Sequence, residues 1–140
     1  MTHTGQCLCG KVTIRITADP IGARTCWCRD CQKFGGGNGT TNAFFAAEAI
    51  HTQGDLSWYD SMAASGNKTN RAFCPSCGSH VFTKGSGAPH LCGVRVSVLD
   101  DSDLIAPQAV IWTDSAPAWA ALDPKLPHFP KAPPAPPPKA

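Results

Sequence analysis

The sequence predicts a small, mainly β domain stapled by zinc, followed by a proline-rich C-terminal tail. Three observations carry that expectation. Val12, Ile14 and Ile16 alternate with Lys11, Thr13, Arg15 and Thr17, and Val94, Val96 and Val98 alternate with Arg95 and Ser97. This is the period of two that a half-buried strand requires. Glycine and asparagine clusters at residues 35–39, 65–67 and 85–87 cut the chain into short segments of the kind that turns connect. Seven of the eight cysteines fall into three tight groups, and clustered thiols in a chain with no export signal read as metal ligands rather than disulfides.

Taken in order, residues 11–17 form the first clear strand. Arg29–Phe34 fits one short helical segment stopped by Gly35, since glycine ends helices readily. Residues 43–50 are ambiguous between strand and helix. Trp58-Tyr59, Val81-Phe82, residues 94–98 and Val110-Ile111-Trp112 read as further short strands. Residues 1–130 make the expected domain. Residues 131–140 carry five prolines, which fix φ and remove backbone donors, so they read as an extended tail or linker with docking as the alternative.

Composition narrows the function. The 140 residues carry 12 basic and 10 acidic side chains, a net charge of +2, too balanced for a nucleic-acid or acidic-membrane surface that works through a basic field. No apolar run reaches the ~18 residues of a membrane span. The first residues lack the charged-then-apolar pattern of a signal peptide. A cytoplasmic protein without nucleic-acid or membrane partners is expected.

The cysteine groups divide by chemistry. Cys7-Leu8-Cys9 and Cys74-Pro75-Ser76-Cys77-Gly78 supply two close pairs, the second with zinc-knuckle spacing. Together they give four thiolates for one closed tetrahedral zinc. Spacing i, i+2 on extended chain places Cys7 and Cys9 on one face. Cys26-Trp27-Cys28-Arg29-Asp30-Cys31 supplies three sulfurs within six residues, and three ligands with an open position are the form of a catalytic zinc. Three thiolates on Zn²⁺ leave a formal charge of −1, poor for activating water and suited to holding a substrate thiol as thiolate. A distant fourth ligand would close the tripod instead. Cys92 is the first candidate, with an apolar core role as its alternative, and His51, His80 and His90 are others. His80 otherwise reads as a surface or supporting residue. His3, His51, His90 and His128 read as surface residues.

The segments Gly5-Gln6-Cys7-Leu8-Cys9-Gly10-Lys11-Val12, Cys26-Trp27-Cys28-Arg29-Asp30-Cys31-Gln32, Phe73-Cys74-Pro75-Ser76-Cys77-Gly78-Ser79, Leu99-Asp100-Asp101 and Ile111-Trp112-Thr113 together resemble the glutathione-dependent formaldehyde-activating enzyme and centromere protein V family over residues 5–130. The resemblance implies a β-tent fold and two zinc ions per chain. By motif, Cys7, Cys9, Cys74 and Cys77 would hold the structural zinc, and Cys26, Cys28 and Cys31 the catalytic one. It also implies carbon–sulfur lyase-type chemistry, in which glutathione as co-substrate combines with formaldehyde to S-(hydroxymethyl)glutathione. This sequence departs from the pattern at His80, where a small residue or proline is expected, and in the free loop at Gly35-Gly36-Gly37.

Arg24, Arg29 and Lys33 flank the tripod and are the sequence's candidates for glutathione's carboxylates. Trp27 is a candidate pocket wall or core residue, and Trp112 and Trp119 candidate anchors for the C-terminal segment. The leading expectation is therefore a zinc-dependent carbon–sulfur lyase acting on a glutathione adduct. The alternatives are a non-catalytic zinc domain binding glutathione or another small thiol, and a structural zinc protein.

Overall fold

The alternation near the N-terminus builds the smaller of two sheets. In the computed structural model, which describes residues 1–133, β1 (His3–Gln6) and β2 (Thr13–Ile16) form an antiparallel pair. β5 (Ile50–Gln53) lies on the other edge of β2. Val12, Ile14 and Ile16 are buried and Arg15 is exposed, as period two demands.

The larger sheet has eight strands: β3 (Gly22–Cys26), β4 (Thr40–Ala46), β6 (Ser57–Met62), β7 (Lys68–Phe73), β8 (His80–Gly85), β9 (Leu91–Arg95), β10 (Val110–Ile111) and β11 (His128–Phe129). Their order is β11-β10-β3-β4-β9-β8-β7-β6, with β10 parallel to both neighbours. The one described α-helix, α1 (Arg29–Phe34), follows β3, and its amide ladder ends as Gly35 N–H donates to the Cys31 carbonyl at 2.8 Å.

The two sheets share one apolar core. Ile14 and Ile16 from the small sheet meet Ala23, Ala43, Phe45, Val94 and Phe82 from the large one. Phe45 and Ile16 are fully enclosed, each contributing about 1.5–3 kcal/mol relative to exposure. Directly paired residues share a face, so the register assigns the other face as well. Arg24 pairs Asn42, Asn42 pairs Arg95, and Cys26 pairs Thr40. The large sheet thus turns an apolar face to the core and a polar one to α1 and residues 96–107.

The ambiguous residues 43–50 resolve into both types. The strand β4 runs through Ala46, a 3-10 turn covers Ala47–Ala49, and the chain then enters the other sheet as β5. The second alternating segment is shorter than its pattern. β9 ends at Arg95, and Val96–Val98 form a 3-10 turn, because the chain must bend for the Asp100 amide to reach the Thr4 carbonyl at 2.9 Å. All three valines are nevertheless buried.

Other expectations need correction. His3 is buried rather than superficial, with Nδ1 2.6 Å from Asp101 Oδ2 and Nε2 3.3 Å from Asp19 Oδ1. Trp119 is exposed and anchors nothing, whereas Trp112 packs against Cys26, Cys31 and Ile111. Within the proline-rich segment, the Lys131 carbonyl accepts from the Trp112 amide at 3.1 Å. Residues 134–140, most of the expected tail, lie outside the described residues.

Candidate metal centres and the adjoining cavity

Two turns bring the four outer cysteines together. Cys7 and Cys9 lie between β1 and β2, and Cys74 and Cys77 between β7 and β8. The Gly10 amide donates to the Cys7 carbonyl at 3.1 Å and the Gly78 amide to the Cys74 carbonyl at 2.8 Å. Gly78 sits at φ 77°, a conformation that costs other residues free energy. Cys7 and Cys9 therefore converge through a turn, not along the extended chain that their spacing suggested. The Cys7–Cys9 and Cys9–Cys74 sulfurs are 3.6 and 3.7 Å apart. With a metal–sulfur distance of ~2.3 Å, the edge of a tetrahedron is about 3.8 Å, whereas a disulfide needs about 2.05 Å. The group has the size of a four-thiolate metal site.

The local donors favour thiolate. The Val12 amide points at Cys7 Sγ at 3.3 Å. Ser79 Oγ lies 3.2 Å from Cys77 Sγ, and the Ser79 hydroxyl and amide, with the Cys9 amide, hold the Cys77 thiol down to about 5.

The second group is built by one strand end and one helix start. Cys26 closes β3, Cys28 caps α1 with its sulfur accepting the Cys31 amide at 3.3 Å, and Cys31 sits in the first turn. Their sulfurs all lie within 4.8 Å of one another, and among the described residues no fourth His, Cys, Asp or Glu joins them. Cys92 belongs to the apolar core, and burial pushes its thiol up to about 11. Hydrogen bonds from Cys26 and Cys28, then from Thr40, together with the charge of Arg95, push the Cys31 thiol down. Hydrogen bonding to Cys28 and Cys31 holds Cys26 up. Three neutral thiols cannot satisfy one another as a trio of thiolates can around a cation, so this donor set also fits a soft divalent metal.

The loop after α1 is tight against this group. An added Cβ at Gly39 would lie 2.5 Å from the Cys26 carbonyl oxygen. The loop's glycines therefore answer a close approach as well as freedom. Trp27 is buried beneath it, and Gln32 Nε2 donates to the Trp27 carbonyl at 2.7 Å and the Ser115 carbonyl at 2.9 Å.

Beside the tripod lies a cavity of about 650 Å³ lined by residues including Phe34, Thr40, Thr41, His80, Arg95 and Asp103. Arg95 is 3% exposed, and its Nη1 donates to Thr40 Oγ1 at 2.7 Å and Asn42 Oδ1 at 2.8 Å. Thr40 lies directly opposite Cys26 in the sheet, so the Arg95–Thr40 pair connects the cavity wall to the strand end that carries the tripod. His80 is half-buried, tilted against the Phe34 ring and stacked on Phe73, a supporting position at the cavity wall.

None of the three expected basic residues lines this cavity. The Arg24 guanidinium lies 4.8 Å over the Phe44 ring. Arg29 is exposed and donates to Gln32 Oε1 at 2.6 Å, and Lys33 is exposed. The residues the sequence reading missed are Arg95, Thr40 and Asn42. Arg95 sits in an alternating valine segment, where a cation ordinarily marks the wet face.

Residues 2–115 match the family described as glutathione-dependent formaldehyde-activating enzyme. The chain belongs to that family. Its membership supports a glutathione-related, formaldehyde-activating function and a small thiol as the molecule acted on. A solved structure of a Rhodobacter sphaeroides protein is similar to this chain with a TM-score of 0.59 and 24% identity, covering 74% of this chain and 96% of that one. That likeness supports the fold. No curated protein matches the chain. No described helix is long and apolar enough to cross a membrane.

Proposed function

We propose that this family member is a zinc-dependent carbon–sulfur lyase-type enzyme that interconverts a thiol plus an aldehyde with their S-hydroxymethyl-type adduct, glutathione and formaldehyde being the expected pair. Cys7, Cys9, Cys74 and Cys77 would hold a structural zinc, and Cys26, Cys28 and Cys31 a catalytic one. The observation that carries the reading is the three-sulfur group, with no fourth described ligand, beside a cavity large enough for a small molecule. When bound there, zinc would supply a place to keep a substrate thiol deprotonated at neutral pH.

The chain's own residues do the rest. The β3 end and the α1 cap fix the three sulfurs, Ile111, Trp112 and Phe129 pack against them, and Gly39 and Thr40, which adjoin Cys26, line the cavity. Thr40 and Arg95 stabilise negative charge on Cys31, which holds its sulfur ready as a ligand. In the synthetic direction the substrate sulfur's lone pair forms the C–S bond. The carbonyl π pair moves to oxygen, which takes up one proton, replacing the one lost from the thiol. The reverse breaks the same bond.

Cobalt substitution tests this. Glutathione added to the cobalt-loaded full chain is expected to change the sulfur-to-cobalt charge-transfer bands, and Cys31→Ser to abolish the change. Exchange between glutathione and formaldehyde, followed by NMR, is expected to run faster with the zinc-loaded protein than in buffer. A spectral response without faster exchange would replace the enzyme with a thiol-binding domain. No response to glutathione or any other small thiol would leave a structural zinc protein.

A further inference from the structure

We infer that Asn38-Gly39, in the loop packed against the tripod, is a site of spontaneous covalent modification: it converts through a cyclic imide to isoaspartate and aspartate, and the conversion loosens the strand end that carries Cys26. The modification goes beyond the function proposed above. Only its effect on metal retention rests on that reading, since it needs the tripod to hold an ion.

The chemistry needs three things, and the loop supplies each. The first is a following residue whose amide nitrogen is sterically open. Asn38 is the one asparagine of the chain followed by glycine, and glycine has no side chain to shield its nitrogen. The second is a free side chain. Asn38 is exposed, and its side-chain amide makes no hydrogen bond among the described residues. The third is an amide nitrogen not held in a ladder. Gly39 lies between α1 and β4, outside both, and its N–H donates to no acceptor among the described residues. Gly36 and Gly37, just before Asn38, have φ of 67° and 106° with open space around each, so the segment can turn toward the ring-closing geometry without collision.

The step balances without an oxidant or reductant. The Gly39 nitrogen attacks Asn38 Cγ, a C–N bond forms, and ammonia leaves with the proton that the Gly39 amide gives up. Water then opens the five-membered imide at either carbonyl. One opening leaves aspartate. The other leaves isoaspartate, in which the main chain runs through Cβ and is one carbon longer between residues 38 and 39.

That extra carbon enters where the loop has no room. An added Cβ at Gly39 would lie 2.5 Å from the Cys26 carbonyl oxygen. One at Gly35 would run into the Asn38 and Gly39 carbonyl oxygens. The Asn38 amide closes the turn onto the Gly35 carbonyl at 3.4 Å, and Thr40, one residue on, pairs with Cys26. A longer chain between 38 and 39 cannot keep both the turn at Gly35 and the register at Thr40. The strain falls on backbone, which cannot rotate away as a side chain can.

Ageing the full chain under warm, mildly alkaline conditions tests this. Peptide mapping by mass spectrometry, with enzymatic methylation of isoaspartate, is expected to find conversion at Asn38 ahead of Asn42, Asn67 and Asn70. Asn38→Gln, which would need a larger ring, is expected to lose that signal. The aged fraction carries one more negative charge and separates by ion exchange. It is expected to melt lower than the unaged fraction and to yield metal to a chelator several-fold faster, while aged Asn38→Gln keeps its starting values. An Asn38 that stays intact in the folded chain while the same chain converts in denaturant would overturn the inference, because the fold would then protect the site. Converted protein that melts like the unaged fraction would overturn the coupling to Cys26. Mapping and melting read out with or without bound metal, so a chain that binds no metal at the tripod would defeat the proposed function and leave this test decisive.

Discussion

Gly39→Ala should loosen the tripod without touching a ligand. The new Cβ would sit 2.5 Å from the Cys26 carbonyl oxygen and 3.2 Å from the Trp27 ring, where ordinary contact begins near 3.4 Å. The first contact is backbone on backbone, so no side chain can rotate away. The strand end that presents the Cys26 sulfur must move instead. Overpacking of this kind costs about 1–3 kcal/mol, which for a chain of this length lowers the melting midpoint by roughly 3–15 °C. Because the displaced atom belongs to a proposed ligand, one of the two metal ions should also be lost to a chelator sooner than in wild type. Gly36→Ala is the control: its Cβ would meet nothing within 4 Å, but φ is 67°, so it costs about 1–2 kcal/mol through backbone strain and leaves metal release unchanged. Differential scanning calorimetry and a colorimetric chelator assay measure both quantities. A Gly39→Ala protein that melts and releases metal like wild type would refute the close approach of loop and tripod.

Further outcomes follow from the same geometry. Purified reduced protein should contain about two zinc ions per chain by elemental analysis, given a four-thiolate group and a tripod. Cys77→Ser should aggregate or unfold, because the turn that closes two sheets' ends loses its staple. Cys28→Ser should stay folded by circular dichroism and retain one ion firmly, and equal melting losses in the two would refute the division of roles. Cys92→Ala should keep both ions and cost about 1 kcal/mol for the sulfur removed from the core, read from denaturant midpoints. His80 is held neutral by burial and by Arg95 and Arg71, so its folded-state midpoint in an NMR titration should fall below the ~6.5 of a free histidine. The unfolded chain then takes up that proton first, and this contribution to stability is present above pH ~6.5 and lost as pH falls through it. His80→Gln should remove that part of the acid sensitivity.

How legible was this protein? The strand β2 was readable because Val12, Ile14 and Ile16 obey one rule, local period two, that the structure does not override. Helix α1 was readable for the same reason, its stop being written in Gly35. The cysteine groups were legible because ligand spacing is a local property: a turn closes Cys74 on Cys77, and a strand end plus a cap closes Cys26, Cys28 and Cys31. That Cys7 and Cys9 meet Cys74 and Cys77 followed from counting sulfurs, but the turn that does it only appears in three dimensions.

What the sequence could not decide is which residues stand beside those sulfurs. Of the basic residues near the tripod in the chain, Arg29 and Lys33 are exposed, while Arg24 lies over Phe44 within reach of the charge on Cys26 and Cys31. Arg95 is 64 residues beyond Cys31, and its position between Val94 and Val96 marks it as a wet-face residue in any local reading. It is brought in by strand register alone: Cys26 opposite Thr40, and Asn42 opposite Arg95. Register is set by the whole sheet's packing on its apolar face, where a slip by one residue would turn every side chain over. Local chemistry thus marked out the candidate ligand groups, and only the tertiary structure decided the buried cation and the cavity that accompany them.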